Sequence, residues 1–145
     1  MEDLTRRKFI KNTAAAGAFT IVSPNIAFGS MANSAINMGI IGCGGRGTGA
    51  ISSMSNNANV NIICMADLFE DKLADSKVIL DAQNKKMGFP EIQNSNTHVG
   101  SKAYLKLLEN KDLDAVLISS PAYTHALYME AAALAGKHIY CEKPV

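Results

Sequence analysis

Three stretches of this chain carry residue types that could do chemistry together. The first is Ile36-Asn37-Met38-Gly39-Ile40-Ile41-Gly42-Cys43-Gly44-Gly45-Arg46-Gly47, an apolar run that leads into glycines at 42, 44 and 47. That is G-x-G-x-x-G between a predicted strand and a predicted helix, the context in which the pattern binds a dinucleotide. Gly42 allows the tight turn out of the strand, and Gly44 lets a pyrophosphate approach the backbone with no Cβ in the way. Gly47 lets the helix pack closely on the strand. The start of that helix adds N–H groups and the positive end of its dipole. Cofactor contacts are therefore expected along Gly42, Cys43, Gly44, Gly45, Arg46 and Gly47. Glycines serving only a turn would give the same letters.

The second stretch ends in Asp67, twenty positions after Gly47. A carboxylate at the end of the second strand can accept hydrogen bonds from the adenine ribose hydroxyls. It also repels a 2′-phosphate, and the next residues are Leu68 and Phe69 rather than an arginine, so NAD is expected over NADP. The alternative role for Asp67 is the N-cap of the following helix. The third stretch closes the chain: Ser119-Ser120-Pro121-Ala122-Tyr123-Thr124-His125, then Ala135-Gly136-Lys137-His138-Ile139-Tyr140-Cys141-Glu142-Lys143-Pro144. Pro121 and Lys143 both lie just past predicted strands, where ligands of doubly wound sheets bind. A lysine beside a cationic nicotinamide ring gives up its proton more readily and can serve in proton transfer. Taken alone, Glu142-Lys143-Pro144 also reads as three ordinary surface residues.

The elements that must position these residues follow from the apolar periodicity. Strands are expected at Ile36–Ile41, Val60–Ala66, His98–Val99, Asp114–Ser119 and His138–Cys141. Val60–Ala66 is a near-continuous apolar run, as a strand covered on both faces requires. Helices are expected from Gly45 to about Asn56, from Phe69 to about Lys86 and from Thr124 to Ala135. A further helix, capped by Ser101, carries Tyr104, Leu105, Leu107 and Leu108 on one stripe. Leu73, Val78, Ile79 and Ala82 supply the apolar positions of the second helix, and Gly136 closes the last. Met87–Asn96 reads as a loop. The β-α alternation implies an α/β fold, a doubly wound parallel sheet with right-handed crossovers.

A chain of 145 residues with 48% hydrophobic residues can bury one core. Fourteen Lys and Arg stand against 13 Asp and Glu with no basic patch, so nucleic-acid binding has no support. The three cysteines, Cys43, Cys64 and Cys141, have no metal-ligand spacing and fall at or near the ends of buried strands. No metal site is expected. Residues 1–32 read as a leader apart from the domain at 33–145. Thr5-Arg6-Arg7-Lys8-Phe9-Ile10-Lys11 is a twin-arginine signature, followed by a moderately apolar, Ala/Gly-rich stretch from Thr13 to Ile26 too short to span a bilayer comfortably. Export through the twin-arginine machinery to the periplasm is expected, and an uncleaved leader would anchor the domain to the membrane. That route carries folded proteins, which suits a cofactor loaded before crossing. Removing the leader leaves 10 basic against 11 acidic residues.

From Ile36 to Val145 the chain resembles the N-terminal domain of the Gfo/Idh/MocA family (glucose–fructose oxidoreductase / inositol dehydrogenase). The resemblance is carried by Gly42-Cys43-Gly44-Gly45-Arg46-Gly47, Asp67, Asp112-Leu113-Asp114-Ala115-Val116, Ser120-Pro121 with His125, and Ala135-Gly136-Lys137-His138 leading to Glu142-Lys143-Pro144. It implies a Rossmann-like fold, NAD as cofactor, and hydride transfer to or from a sugar or polyol carbon assisted by Lys143, with Glu142 beside it. The loop at Ser120, Pro121 and His125 would border the nicotinamide ribose; His125 could equally face solvent at a helix start. Members of the family continue into a last Rossmann strand and a large α+β domain that supplies most substrate contacts. On that basis the sheet here is expected to be incomplete and the α+β domain absent, and the complete protein is expected to be a homo-oligomer. Some relatives of this family are NAD-dependent glycosidases that oxidise a sugar transiently, and these need not keep Glu-Lys-Pro. A non-catalytic nucleotide-binding module is the third reading.

Overall fold

The computed structural model describes residues 34–144; the leader expected at residues 1–32 lies outside the described residues. Five parallel strands form one sheet in the order β3-β2-β1-β4-β5. They are β1 (Ile36–Ile41), β2 (Val60–Asp67), β3 (Thr97–Val99), β4 (Ala115–Ile118) and β5 (His138–Cys141). Between them run α1 (Gly45–Asn57), α2 (Glu70–Lys86), α3 (Ala103–Leu108) and α4 (His125–Leu134). The expected α/β alternation is present, and the strand order reverses between β1 and β4. Ligands of such sheets sit outside the carboxyl ends of the strands at that reversal.

Side-chain alternation along the strands builds a core on each face. Met38, Ile40, Ile62, Met65 and Leu117 meet Ile51 of α1 and Leu73 and Leu80 of α2. Ile41, Cys64, Ala66, Val116 and Ile118 meet Ala103, Leu107 and Leu108 of α3 and Ala132 of α4. Helices therefore cover both faces, which is why β2 and β4 read as continuous apolar runs. The pairing of β1 with β2 slips by one residue, since Met38 faces Ile62 but Gly39 faces Cys64. The extra residue, Ile63, is a bulge that reverses the alternation of β2. Alternation counted on from Met65 places Asp67 on the α1 and α2 side of the sheet.

Asn84 holds this bulge. It is fully buried on α2, accepts a hydrogen bond from Ile62 N–H at 3.1 Å, and donates to Ile62 C=O at 2.7 Å and Pro90 C=O at 3.0 Å. The buried stripe of α2 is Leu73, Ser76, Leu80 and Asn84, while Val78 and Ile79 face solvent. The expected apolar stripe is thus displaced, because two polar residues satisfy buried partners on the packed face. Asn84→Ala is expected to lower stability by about 3 kcal/mol, since it strands a buried N–H and C=O. Urea unfolding should show the midpoint falling with little change in slope.

Helix ends follow the charges and turns of the sequence. Glu70 and Asp71 open α2 and Lys85 and Lys86 close it, both matching the helix dipole. After α4, Lys137 N–H donates to Ala132 C=O and Gly136 N–H to Ala133 C=O, the paired bonds of a Schellman ending. Ser101 is not the cap of α3. That helix starts at Ala103 without a side-chain cap, because Ala103 N–H is already taken by Gly100 C=O in the preceding turn. Leu105 is also turned outward, leaving Ala103, Leu107 and Leu108 as the buried face. A 3₁₀ turn, Ala122–Thr124, precedes α4, so the helix begins one residue later than expected. Among the described residues no helix is long and apolar enough to cross a membrane.

Candidate functional site

Three hydrogen bonds continue the sheet past its carboxyl edge and set the candidate loops side by side. Gly42 N–H donates to Ala66 C=O, Ser119 N–H to Ile41 C=O, and Glu142 N–H to Ile118 C=O, each within 2.8–2.9 Å. The glycine loop, the Ser119–Pro121 loop and the Glu142-Lys143-Pro144 turn thereby share one edge. Gly42 turns with φ +97°, and a Cβ there would stand 2.7 Å from the Ser119 backbone. Gly47 is buried where α1 meets β1, and a Cβ there would lie 2.2 Å from Gly42 C=O. Above Gly44 and Gly45, by contrast, a Cβ would meet nothing within 4 Å. No side chain caps the first turn of α1, which leaves its leading N–H groups to an anion.

Asp67 binds the glycine loop directly. One carboxylate oxygen accepts from Cys43 N–H at 2.6 Å, and the other accepts from Phe69 N–H at 2.8 Å. The second bond is a local side-chain turn rather than a helix cap, since Phe69 itself is the N-cap of α2. Each carboxylate oxygen has a second lone pair, so acceptor capacity remains for ribose hydroxyls. The Cys43 thiol lies buried against Ala66 C=O, and burial first, then the Asp67 charge, pushes its pKa up to about 12. Burial likewise lifts Cys64 to about 11. At pH 8 the thiolate fraction of Cys43 is then about 10⁻⁴. Iodoacetamide should label half-buried Cys141 first and leave Cys43 and Cys64 intact until the protein unfolds, as peptide mass spectrometry would read.

A cleft of about 510 Å³ opens over the β1–β4 reversal. Of the residues expected at the site, Gly42, Gly44, Asp67, Ser120 and Pro121 line it. Cys43 and Gly45 instead line a depression between α1 and α2. Arg46 and Glu142 form an ion pair at 3.0 Å that ties α1 to the end of β5, and this contact holds the Glu142 carboxyl below the usual carboxylate range. Lys143 is exposed on its turn, next to a cis Lys143–Pro144 bond. His125 is 2% exposed, which rules out the solvent-facing alternative. Its ring nitrogens lie 2.8 Å from Ser120 C=O and 2.8 Å from Pro144 C=O.

No motif in the sequence marks the aromatic wall of the cleft. Phe69, Tyr104, Tyr123 and Tyr128 line it, and the Tyr104 and Tyr128 rings pack with centroids 4.3 Å apart. For Phe69, Tyr104 and Tyr123 the signal was position, since each follows the end of a strand by a few residues where a helical turn begins; Tyr128 lies one turn inside α4. Burial raises the Tyr128 phenol above its ordinary pKa, with Tyr104 the next contributor. Open space above Gly44, an uncapped α1 and a carboxylate at the end of β2 together fit a dinucleotide. Among the described residues no cluster of His, Cys, Asp and Glu could hold a metal.

Comparison with known proteins agrees with this geometry. A glycosyl hydrolase family 109 protein from Shewanella amazonensis is 34% identical over 110 residues, covering 76% of this chain and 23% of the relative. A myo-inositol 2-dehydrogenase from Thermotoga maritima is 30% identical over 113 residues, covering 76% and 28%. The solved structure of a 3-ketoreductase from Actinomadura kijaniata in complex with NADP superposes with a TM-score of 0.54 at 26% identity, covering 76% of this chain and 30% of that one. The chain thus spans about a quarter of the length of the curated relatives it matches. The family model described as an oxidoreductase family with an NAD-binding Rossmann fold matches residues 36–145, and the chain belongs to that Gfo/Idh/MocA family as its NAD-binding domain.

Proposed function

We propose that this chain is the cofactor half of an exported NAD-dependent dehydrogenase that acts on a hydroxyl carbon of a sugar or cyclitol. The observation that carries the reading is the shared edge: Glu142-Lys143-Pro144 is hydrogen-bonded onto the same end of the sheet as the glycine loop and Asp67. Bound NAD would supply a hydride acceptor at C4 of the nicotinamide. The chain's own residues do the rest. The N–H groups of Gly45, Arg46 and Gly47 take the pyrophosphate, and Asp67 takes the adenine ribose hydroxyls and disfavours a 2′-phosphate. Ser120 and Pro121 border the nicotinamide ribose. Lys143 takes the proton from the substrate hydroxyl during oxidation and returns it to the carbonyl oxygen in reduction.

The twin arginines Arg6 and Arg7 support export of the loaded domain to the periplasm. Lysine at both positions should then hold the protein in the cytoplasm. A second reading, an NAD-dependent glycosidase, is supported by the relatives named as glycosyl hydrolase family 109 proteins. The intact Glu142-Lys143-Pro144 favours the dehydrogenase. The two separate in one experiment on the complete gene product. Absorbance at 340 nm is followed with NAD and a panel of sugars and inositols, beside nitrophenol release from aryl glycosides. The dehydrogenase reading expects NADH to accumulate; nitrophenol release with no net NADH would sink it.

A further inference from the structure

We infer that His125 is a positioning residue that latches the Lys143 turn to the rim of the cofactor cleft through two backbone carbonyls. The inference rests on the proposed place of Lys143 beside the nicotinamide. His125 opens α4, and its ring is sealed at 2% exposure. Its two nitrogens reach out in opposite directions along the ring. Nε2 meets Ser120 C=O at 2.8 Å, one residue before Pro121 on the cleft wall. Nδ1 meets Pro144 C=O at 2.8 Å, one residue after Lys143. The two carbonyls belong to loops that follow different strands, β4 and β5, and one ring joins them.

The chemistry of the contact is directional. Both partners are carbonyl oxygens, which only accept, so the ring must donate to each contact that it satisfies. No other side chain of similar size offers donors at both ends of a rigid plane. The neighbouring Ser120 and Thr124 hydroxyls lie 2.7 Å apart, and Thr124 also donates to Pro121 C=O, so the Ser120 side of the latch is itself braced. On the other side, Glu142 is fixed by its N–H on Ile118 C=O and by Arg46. Lys143 therefore sits between two anchored residues. His125 supplies the anchor that determines how the lysine backbone approaches the cleft. A displacement of an ångström at such a group costs about 10²-fold in rate.

The test reads Lys143 directly. The full chain is acetylated with sulfo-NHS-acetate with and without saturating NAD. Peptide mass spectrometry gives the rate at Lys143 relative to exposed Lys85 and Lys86, and NAD binding is followed in parallel by thermal shift. In the wild type, NAD is expected to raise the midpoint and slow acetylation of Lys143 several-fold. In His125→Phe, which fills the space without donors, NAD should still raise the midpoint while the shielding at Lys143 disappears. In the complete gene product the same variant should lower kcat about 10²-fold with the NAD Kd within threefold. If His125→Phe does not fold, His125→Asn, too short to reach both carbonyls, is read in its place with the same expectation. A folded variant that shields Lys143 as the wild type does would overturn the latch. A wild type whose midpoint NAD leaves unmoved would instead remove the cofactor reading. A midpoint shift without shielding in the wild type would remove Lys143 from the nicotinamide, and the latch with it.

Discussion

Gly47→Ala is expected to abolish NAD binding and lower stability by about 3 kcal/mol, because the added methyl has no place to go. Its Cβ would stand 2.2 Å from Gly42 C=O, 3.0 Å from the Ser119 Cβ and 3.1 Å from the Ile40 Cδ1. A leucine tip could swing aside, but the nearest atom here is backbone. Gly42 cannot retreat, since its N–H is bonded to Ala66 C=O and its own φ is +97°. The start of α1 must therefore lift from β1, and the N–H groups that would face the pyrophosphate move with it. A loss of about 3 kcal/mol corresponds to a drop of roughly 10–20 °C in a domain of this size. Gly44→Ala makes the comparison informative. Space is open there and the backbone (φ −68°, ψ 172°) suits any residue, so that variant should melt as the wild type does. Yet Gly44 lines the cleft, and a methyl on it intrudes where the pyrophosphate must approach. Stability lost at 47 and kept at 44, with NAD binding lost at both, is the expected pattern in thermal shift and titration. A Gly47→Ala protein with a wild-type midpoint and NAD affinity would refute the close-packing argument.

What could be read from the sequence was what depends on local rules. Gly42, Gly44 and Gly47 sit at a strand–helix junction whose backbone needs are visible in a dozen residues. The central strands β2 and β4 announced themselves as apolar runs because both faces of the sheet are covered there. Asp67 was legible for the same reason, as a carboxylate where a buried strand ends. The features that escaped are those made by partners far apart in the chain. Asn84 looked like a polar residue near the end of a charged helix. Only the bulge at Ile63, on a different element, explains why it is buried and fully bonded. Ser101 looked like a cap until Gly100 took the N–H that it would have served. The double contact of His125 needs Ser120 and Pro144 to be brought within one ring's width, which no spacing in the chain reveals.

Lys143→Ala, in the complete gene product, is expected to reduce kcat by about 10²–10⁴-fold while leaving the NAD Kd within threefold. The argument rests on how differently the turn and its side chain are held. Glu142 is bonded at its N–H and its carboxylate, and Pro144 is bonded at its carbonyl, so the backbone on either side of Lys143 is fixed. The lysine side chain itself is exposed, and the Asp67 carboxylate is held by the Cys43 and Phe69 N–H groups. Its removal should thus spare the fold and the dinucleotide contacts and strike only the step that moves a proton. Lys143→Arg sharpens the test. It keeps a positive charge at the same place, but a guanidinium does not surrender its proton in the working pH range. If the role is proton transfer, arginine fails to restore the rate, and the limb of the kcat/KM profile that the lysine supplies vanishes in both variants. If arginine restores the rate, the residue acts by charge alone, stabilising an alkoxide without exchanging its proton. An alanine variant within threefold of wild type would place the proton on another group, and the phenol of Tyr128, which lines the cofactor cleft, would be the first to examine.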